Sequence, residues 1–151
     1  MSYSLVVFDW DGTLMDSTHS IVAAIQGACR DLELPVPSAS DASWVIGLSL
    51  ESALRRAVPQ LTQAMLPRFL ERYRTHYLLR DPELRLFDGI PELLTALAER
   101  DVRLAVATGK SRVGLTRALA ATGLGPMFDA TRTADETFSK PHPAMLHELM
   151  T

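Results

Sequence analysis

The chain has 151 residues, 47% of them hydrophobic and 22% charged, with a formal net charge of -3. That is ordinary globular composition with no large basic field, so nucleic acid is excluded as a natural partner and a small metabolite is the expected one. No apolar run approaches the length of a spanning helix and Met1 to Ser4 leads straight into apolar sequence, which places the chain in the cytoplasm, with no membrane partner. The single Cys29 has no disulfide partner and falls at helical spacing among apolar residues, as a core thiol in a reducing compartment would.

The first element is Leu5-Val6-Val7-Phe8, a run too continuous to have a wet face, and it predicts a strand buried on both sides in a parallel sheet. It ends in Asp9-Trp10-Asp11-Gly12-Thr13. Side chains two apart on extended backbone share a side, so both carboxylates can face one site at the strand's carboxyl end while Trp10 faces away. Two carboxylates this close repel unless a cation accompanies them, and a hard divalent ion such as Mg²⁺ suits them better than zinc. Asp-x-Asp-Gly also suits an ordinary turn.

Helical spacing then predicts a helix over 17–32 with Asp16 or Ser17 as N-cap, a second over 49–58 and a third over 60–79, with no strand among them. The Asp88-Gly89 turn leads into a helix over 90–99 with Pro91 in its first turn, followed by a buried-type strand over 102–107. A helix over 112–122, a short strand over 130–133 and a last helix from Pro141 to the end complete the chain. The expected organisation is an α/β core of residues 1–14 and 87–151, interrupted by a helical insertion over 15–86. Such an insertion hangs over the strand ends, where it can close on a ligand.

Two further junctions carry chemistry. Thr108-Gly109-Lys110-Ser111 follows the second strand, where a hydroxyl and backbone N–H groups at a helix start make an anion site, although a plain helix cap has the same composition. Lys140 precedes Pro141, which keeps it on extended backbone just ahead of a helix. Lys110 and Lys140 are the only lysines in the sequence. The four histidines show no metal-ligand spacing.

In order and spacing these three junctions resemble the haloacid dehalogenase superfamily of phosphohydrolases, over the whole chain. The resemblance implies a Rossmann-like parallel sheet core with a helical cap inserted after the first strand. It makes Asp9 the nucleophile and Asp11 the acid-base, with Lys140 completing the catalytic set. Phosphate would be held by Asp11, Gly12, Thr13, Thr108, Gly109 and Lys140, and Mg²⁺ by Asp9 and the Asp11 backbone carbonyl. The implied activity is a phosphoglycolate phosphatase-type hydrolysis of a small phosphomonoester through an aspartyl phosphate.

Within the family, Asp11 argues against dehalogenation, and the absence of any lysine before Lys110 argues against Schiff-base phosphonate cleavage. In the cap segment "IGLSLESAL", Leu50 stands where sugar phosphate mutases carry an arginine, which disfavours that activity. Gly47 is expected in the substrate loop, with Arg55 or Arg56 as weaker candidates for a second anionic group. A fourth, acidic motif is expected about two dozen residues beyond Pro141, past Thr151, so half of the metal site and the strand beside residues 5–8 would be missing. The expectation is a fragment of a longer enzyme, or a chain that self-associates through the uncovered edge of strand 5–8. The alternative function is a catalytically incomplete or non-catalytic binding module. A phosphoacceptor receiver domain fits less well, because receivers take phosphate on a later strand and lack the insertion.

Overall fold

The computed structural model describes residues 3–151 and divides into two compact units: one of Met1–Met15, Gly47–Ser49 and Leu86–Thr151, the other of Asp16–Ile46 and Leu50–Arg85. The first is an α/β unit. Its sheet has three parallel strands in the order β1 (Leu5–Phe8), β4 (Arg103–Ala107), β5 (Ala130–Arg132). The hydrophobic run 104–107 fills the middle position and is buried throughout, as a central parallel strand must be when it has neighbours on both edges.

The register sets β5 level with the end of β4, Ala107 opposite Arg132, while β1 ends one residue earlier, Phe8 opposite Val106. Helix α5 (Ile90–Glu99) packs on β4 through the fully buried Leu94, and Pro91 lies in its first turn, where a missing N–H costs nothing. Helix α6 (Arg112–Thr122) is capped by Ser111, whose Oγ accepts from the Gly114 N–H at 3.1 Å, and stops at Gly123 in the left-handed region. Helix α7 (Ala144–Leu149) packs on β5 and β4 through Met145.

Four expectations need correction. All four residues of β1 are half-buried rather than buried on both sides, because β1 ends the sheet and pairs with β4 alone among the described residues. The last helix starts at Ala144, not Pro141, because two prolines in three residues hold the segment out of helical geometry. The third helix of the insertion begins at Leu66, after a turn at 61–65, instead of at 60. Two-residue strands β2 (Met15–Asp16) and β3 (Arg85–Leu86) pair with each other where the chain passes between units, too short to leave a period-2 signal.

The second unit is helical: α1 (Thr18–Asp31), α2 (Ala39–Ser43), α3 (Leu50–Ala57) and α4 (Leu66–Arg80). Helix α2 is too short for periodicity to find. Its start is nonetheless written in Ser38-x-x-Asp41, where the Ser38 Oγ accepts from the Asp41 N–H at 3.1 Å. Helices α1 and α4 pack face to face, contributing Ile25, Ala28, Cys29 and Phe69 to a dry core that raises the Cys29 thiol pKa by burial. Gly27 leaves room for His76 at their contact, since a Cβ there would lie 2.7 Å from the ring and displace it. Beside it, the Asp31 carboxylate takes hydrogen bonds from Arg72 and His76, each at 2.7 Å, which hold its pKa below the usual range, Arg72 foremost.

Two outcomes follow for stability. Leu94→Ala should cost about 2–5 kcal/mol and its half-exposed neighbour Leu93→Ala under about 1, read by urea unfolding through Trp10 fluorescence in a Trp44→Phe background. Because the Asp31 pKa is lower folded than unfolded, its pairing stabilises above the unfolded value and is lost as pH falls through the folded one. Asp31→Asn should therefore melt below the wild type at pH 7, and the gap should close as pH drops below about 4.

Candidate active site

The site is built at the carboxyl ends of β1 and β4, inside the α/β unit. After Phe8 the backbone leaves the sheet and coils on itself, the Trp10 carbonyl accepting from the N–H groups of Thr13, Leu14 and Met15 at 3.0–3.2 Å. Trp10 is buried, so its side chain anchors the loop. On either side of it Asp9 and Asp11 remain partly accessible, at 29% and 11% side-chain exposure.

Each aspartate meets a lysine, and they are the chain's only two. Lys140 Nζ lies 3.0 Å from Asp9 Oδ1, which also accepts from the Trp10 N–H at 2.7 Å, while Lys110 Nζ lies 3.7 Å from Asp11 Oδ2. The expected cation beside the carboxylates is thus supplied in part by the protein. Two opposite charges offset two like charges that would otherwise be costly to hold together in a half-dry site. The second oxygen of Asp9, Oδ2, has no hydrogen-bond partner among the described residues and lies on the side of Gly47, where an ideal Cβ would be 3.5 Å from it.

The segment after β4 behaves differently from a bare helix start. Thr108 is buried, its N–H donates to the Arg132 carbonyl, and its Oγ1 accepts from the Lys110 N–H at 3.1 Å, leaving the hydroxyl proton to donate elsewhere. The first turn of α6 is already supplied by the Ser111 cap and by Asp135 Oδ1, which accepts from the Arg112 N–H at 3.0 Å. The ready anion site expected there is therefore narrower than the sequence suggested, with much of the helix terminus spent on protein carboxylate and hydroxyl. Gly109 is a steric necessity: a Cβ on it would overlap the Leu48 carbonyl oxygen and lie 2.7 Å from that of Gly47. The Gly47–Ser49 strip thus lies over Gly109 and close to Asp9, within the same unit.

Gly12 and Thr13 are exposed on the loop, with their N–H groups donating to the Met15 and Trp10 carbonyls. Arg55 lies in the helical unit on the exposed face of α3, engaged by Glu51 at 2.7 Å and Gln63 at 2.9 Å. Arg56 lines a cavity of about 380 Å³ in that unit with Trp44, Val45 and Pro59. No group of three or more His, Cys, Asp or Glu side chains able to hold a metal occurs among the described residues.

Sequence reasoning overlooked the polar loop at 133–136. Thr133, fully buried, donates its N–H to Glu136 Oε1 at 2.9 Å, and Arg112 reaches the same carboxylate. The pattern Thr-x-x-Glu, one half of a capping box, was the available signal.

Comparison with known proteins adds an independent line. The family model for haloacid dehalogenase-like hydrolases matches residues 6–151. The probable phosphatase IndB of Dickeya dadantii is 37% identical over 147 residues, covering 93% of this chain and 64% of that protein. The phosphoglycolate phosphatase of Pectobacterium atrosepticum is 34% identical over 148 residues, covering 94% and 63%. The chain thus spans a little under two thirds of the length of these curated relatives. Among solved structures, a predicted phosphoglycolate phosphatase from Haemophilus somnus superposes with a TM-score of 0.86 at 28% identity, covering 97% of this chain and 70% of that one. The family model spans nearly all of the chain, the relatives agree with it in sequence and the solved structure in fold, and the chain belongs to the haloacid dehalogenase-like hydrolase family.

Proposed function

We propose that the protein is a Mg²⁺-dependent phosphatase acting on a small phosphomonoester of the phosphoglycolate type. The observation that carries this reading is the convergence of the chain's two lysines on its two loop aspartates, Lys140 on Asp9 and Lys110 on Asp11. A phosphoryl group needs an oxygen nucleophile, a proton carrier for the leaving alcohol and cations around its equatorial oxygens. The four side chains supply these types.

In this reading an Asp9 carboxylate oxygen attacks phosphorus as Asp11 gives its proton to the departing alkoxide oxygen. Water then attacks the aspartyl phosphate, Asp11 takes the proton back, and inorganic phosphate leaves with Asp9 restored. The Thr108 hydroxyl, the Gly109 N–H and the Lys140 ammonium hold the phosphoryl oxygens, with Asp11, Gly12 and Thr13 completing the phosphate-binding set. The donor set fits Mg²⁺: hard carboxylate oxygens, one of them the unpartnered and partly exposed Asp9 Oδ2, with the Asp11 backbone carbonyl as the second ligand that the family resemblance implies. Mg²⁺ bound there would neutralise charge on the phosphoryl oxygens.

Gly47 leaves the Asp9 side open to a small leaving group, and Arg55 is the weaker candidate for a second anionic group. A cytoplasmic location accords with there being no described helix long and apolar enough to cross a membrane. Self-association through the outer edge of β1 accords with its place at the end of the sheet.

The decisive experiment measures phosphate release from a panel of small phosphomonoesters with Mg²⁺ and with chelator. Turnover should require Mg²⁺, and Asp9→Asn should lower it by at least about 10³-fold, the scale set by loss of a covalent nucleophile. Binding of the esters without any turnover would favour the non-catalytic module instead, and turnover unchanged in Asp9→Asn would overturn the mechanism.

A further inference from the structure

A dense polar cluster outside the two carboxylate–lysine pairs lies in the loop 133–136, between β5 and Lys140. We infer that this loop is a clamp that fixes the turn 108–110 and the Lys140 arm relative to each other, with Arg112 and Glu136 as its positioning residues. The inference rests on the reading above, in which those two segments hold one phosphoryl group from two sides.

On the α6 side the loop grips backbone immediately beyond Gly109. The Ala134 N–H donates to the Lys110 carbonyl at 2.9 Å and the Arg112 N–H to Asp135 Oδ1 at 3.0 Å. The Arg112 guanidinium then forks onto Glu136, Nε to Oε2 at 3.2 Å and Nη2 to Oε1 at 2.5 Å, and reaches the Thr131 carbonyl at 3.2 Å. A planar fork on a carboxylate fixes orientation as well as distance. Glu136 is further immobilised by the Thr133 N–H at 2.9 Å, and the buried Thr133 hydroxyl lies 2.6 Å from Asp135 Oδ1 and 3.0 Å from Glu136 Oε1.

Four residues after Glu136 the chain reaches Lys140. That span is tied down at its other side by Glu148, which takes the Thr137 hydroxyl and Arg132 Nε. Arg112 and Glu136 are each about a third exposed, and pairs so exposed add little to stability. A bidentate pair with three further donors on the same loop is better explained by the geometry it enforces. Displacement of either segment by about 1 Å would separate groups that must act on one phosphoryl.

Because the chain holds only two lysines, ¹³C-methylation gives one side-chain signal for each segment, assigned with Lys110→Arg and Lys140→Arg. In phosphate-free protein, Glu136→Gln should move both lysine signals. Glu51→Gln, which breaks the exposed pair with Arg55, should move neither. Titration with inorganic phosphate in the presence of Mg²⁺ should then show about tenfold weaker binding to Glu136→Gln than to the wild type. Arg112→Gln removes the fork from its other side without adding a lysine and should shift both signals in the same direction. It carries the test if Glu136→Gln does not fold by circular dichroism. Unmoved lysine signals in both folded variants would overturn the clamp. If the wild-type lysines do not respond to phosphate at all, the phosphate reading falls, and the phosphate-free spectra still decide the clamp.

Discussion

Phe8 stands opposite Val106 and Ala107 opposite Arg132, so β4 and β5 stop level and β1 stops one residue before them. That register is the constraint on which the site depends. Asp9, Thr108 and Thr133 each follow directly on a strand end, and a slip of one residue in either pairing would turn alternate side chains to the wrong face. The register is held by burial of the central strand: Leu104, Ala105, Val106 and Ala107 are all out of water, each large side chain among them worth about 1.5–3 kcal/mol. Leu94 of α5 and Met145 of α7 complete the packing around it.

Once the strands are in register, electrostatics decides what can occupy their ends. Two aspartates on one loop would repel, and Lys140 and Lys110 come from two different junctions to balance them. The balance holds the four-group site together before any ligand arrives. A divalent cation would then make it a receptor for a dianion, as the proposed phosphatase chemistry requires. The Gly47–Ser49 strip is seated closely on Gly109, on the side of Asp9 Oδ2.

The helical unit solves a separate problem. Helices α1 and α4 bury Ile25, Cys29 and Phe69 against each other, and Gly27 makes room for His76 so that Asp31 can tie the two helices at one end. Each unit therefore has its own source of stability.

The elements with strong local signals were legible in the amino-acid sequence: helices 90–99 and 112–122, the strand ending at Ala107, and the Asp9, Thr108 and Lys140 junctions, each marked by residues whose chemistry acts locally. Short elements were not. Helix α2 and strands β2 and β3 span too few residues to show a period, although Ser38-x-x-Asp41 announced the helix. Nor was the half-exposed state of β1, because an apolar run of four reads alike in the middle of a sheet and at its end. What the sequence determined by itself was which chemical groups stand at which strand ends. Only the tertiary structure decided which lysine meets which aspartate, that Gly109 must be bare beneath the Leu48 carbonyl, and that Arg112 closes on Glu136. Those contacts join residues far apart in the chain, and distance in space is set by packing, not by spacing along the backbone.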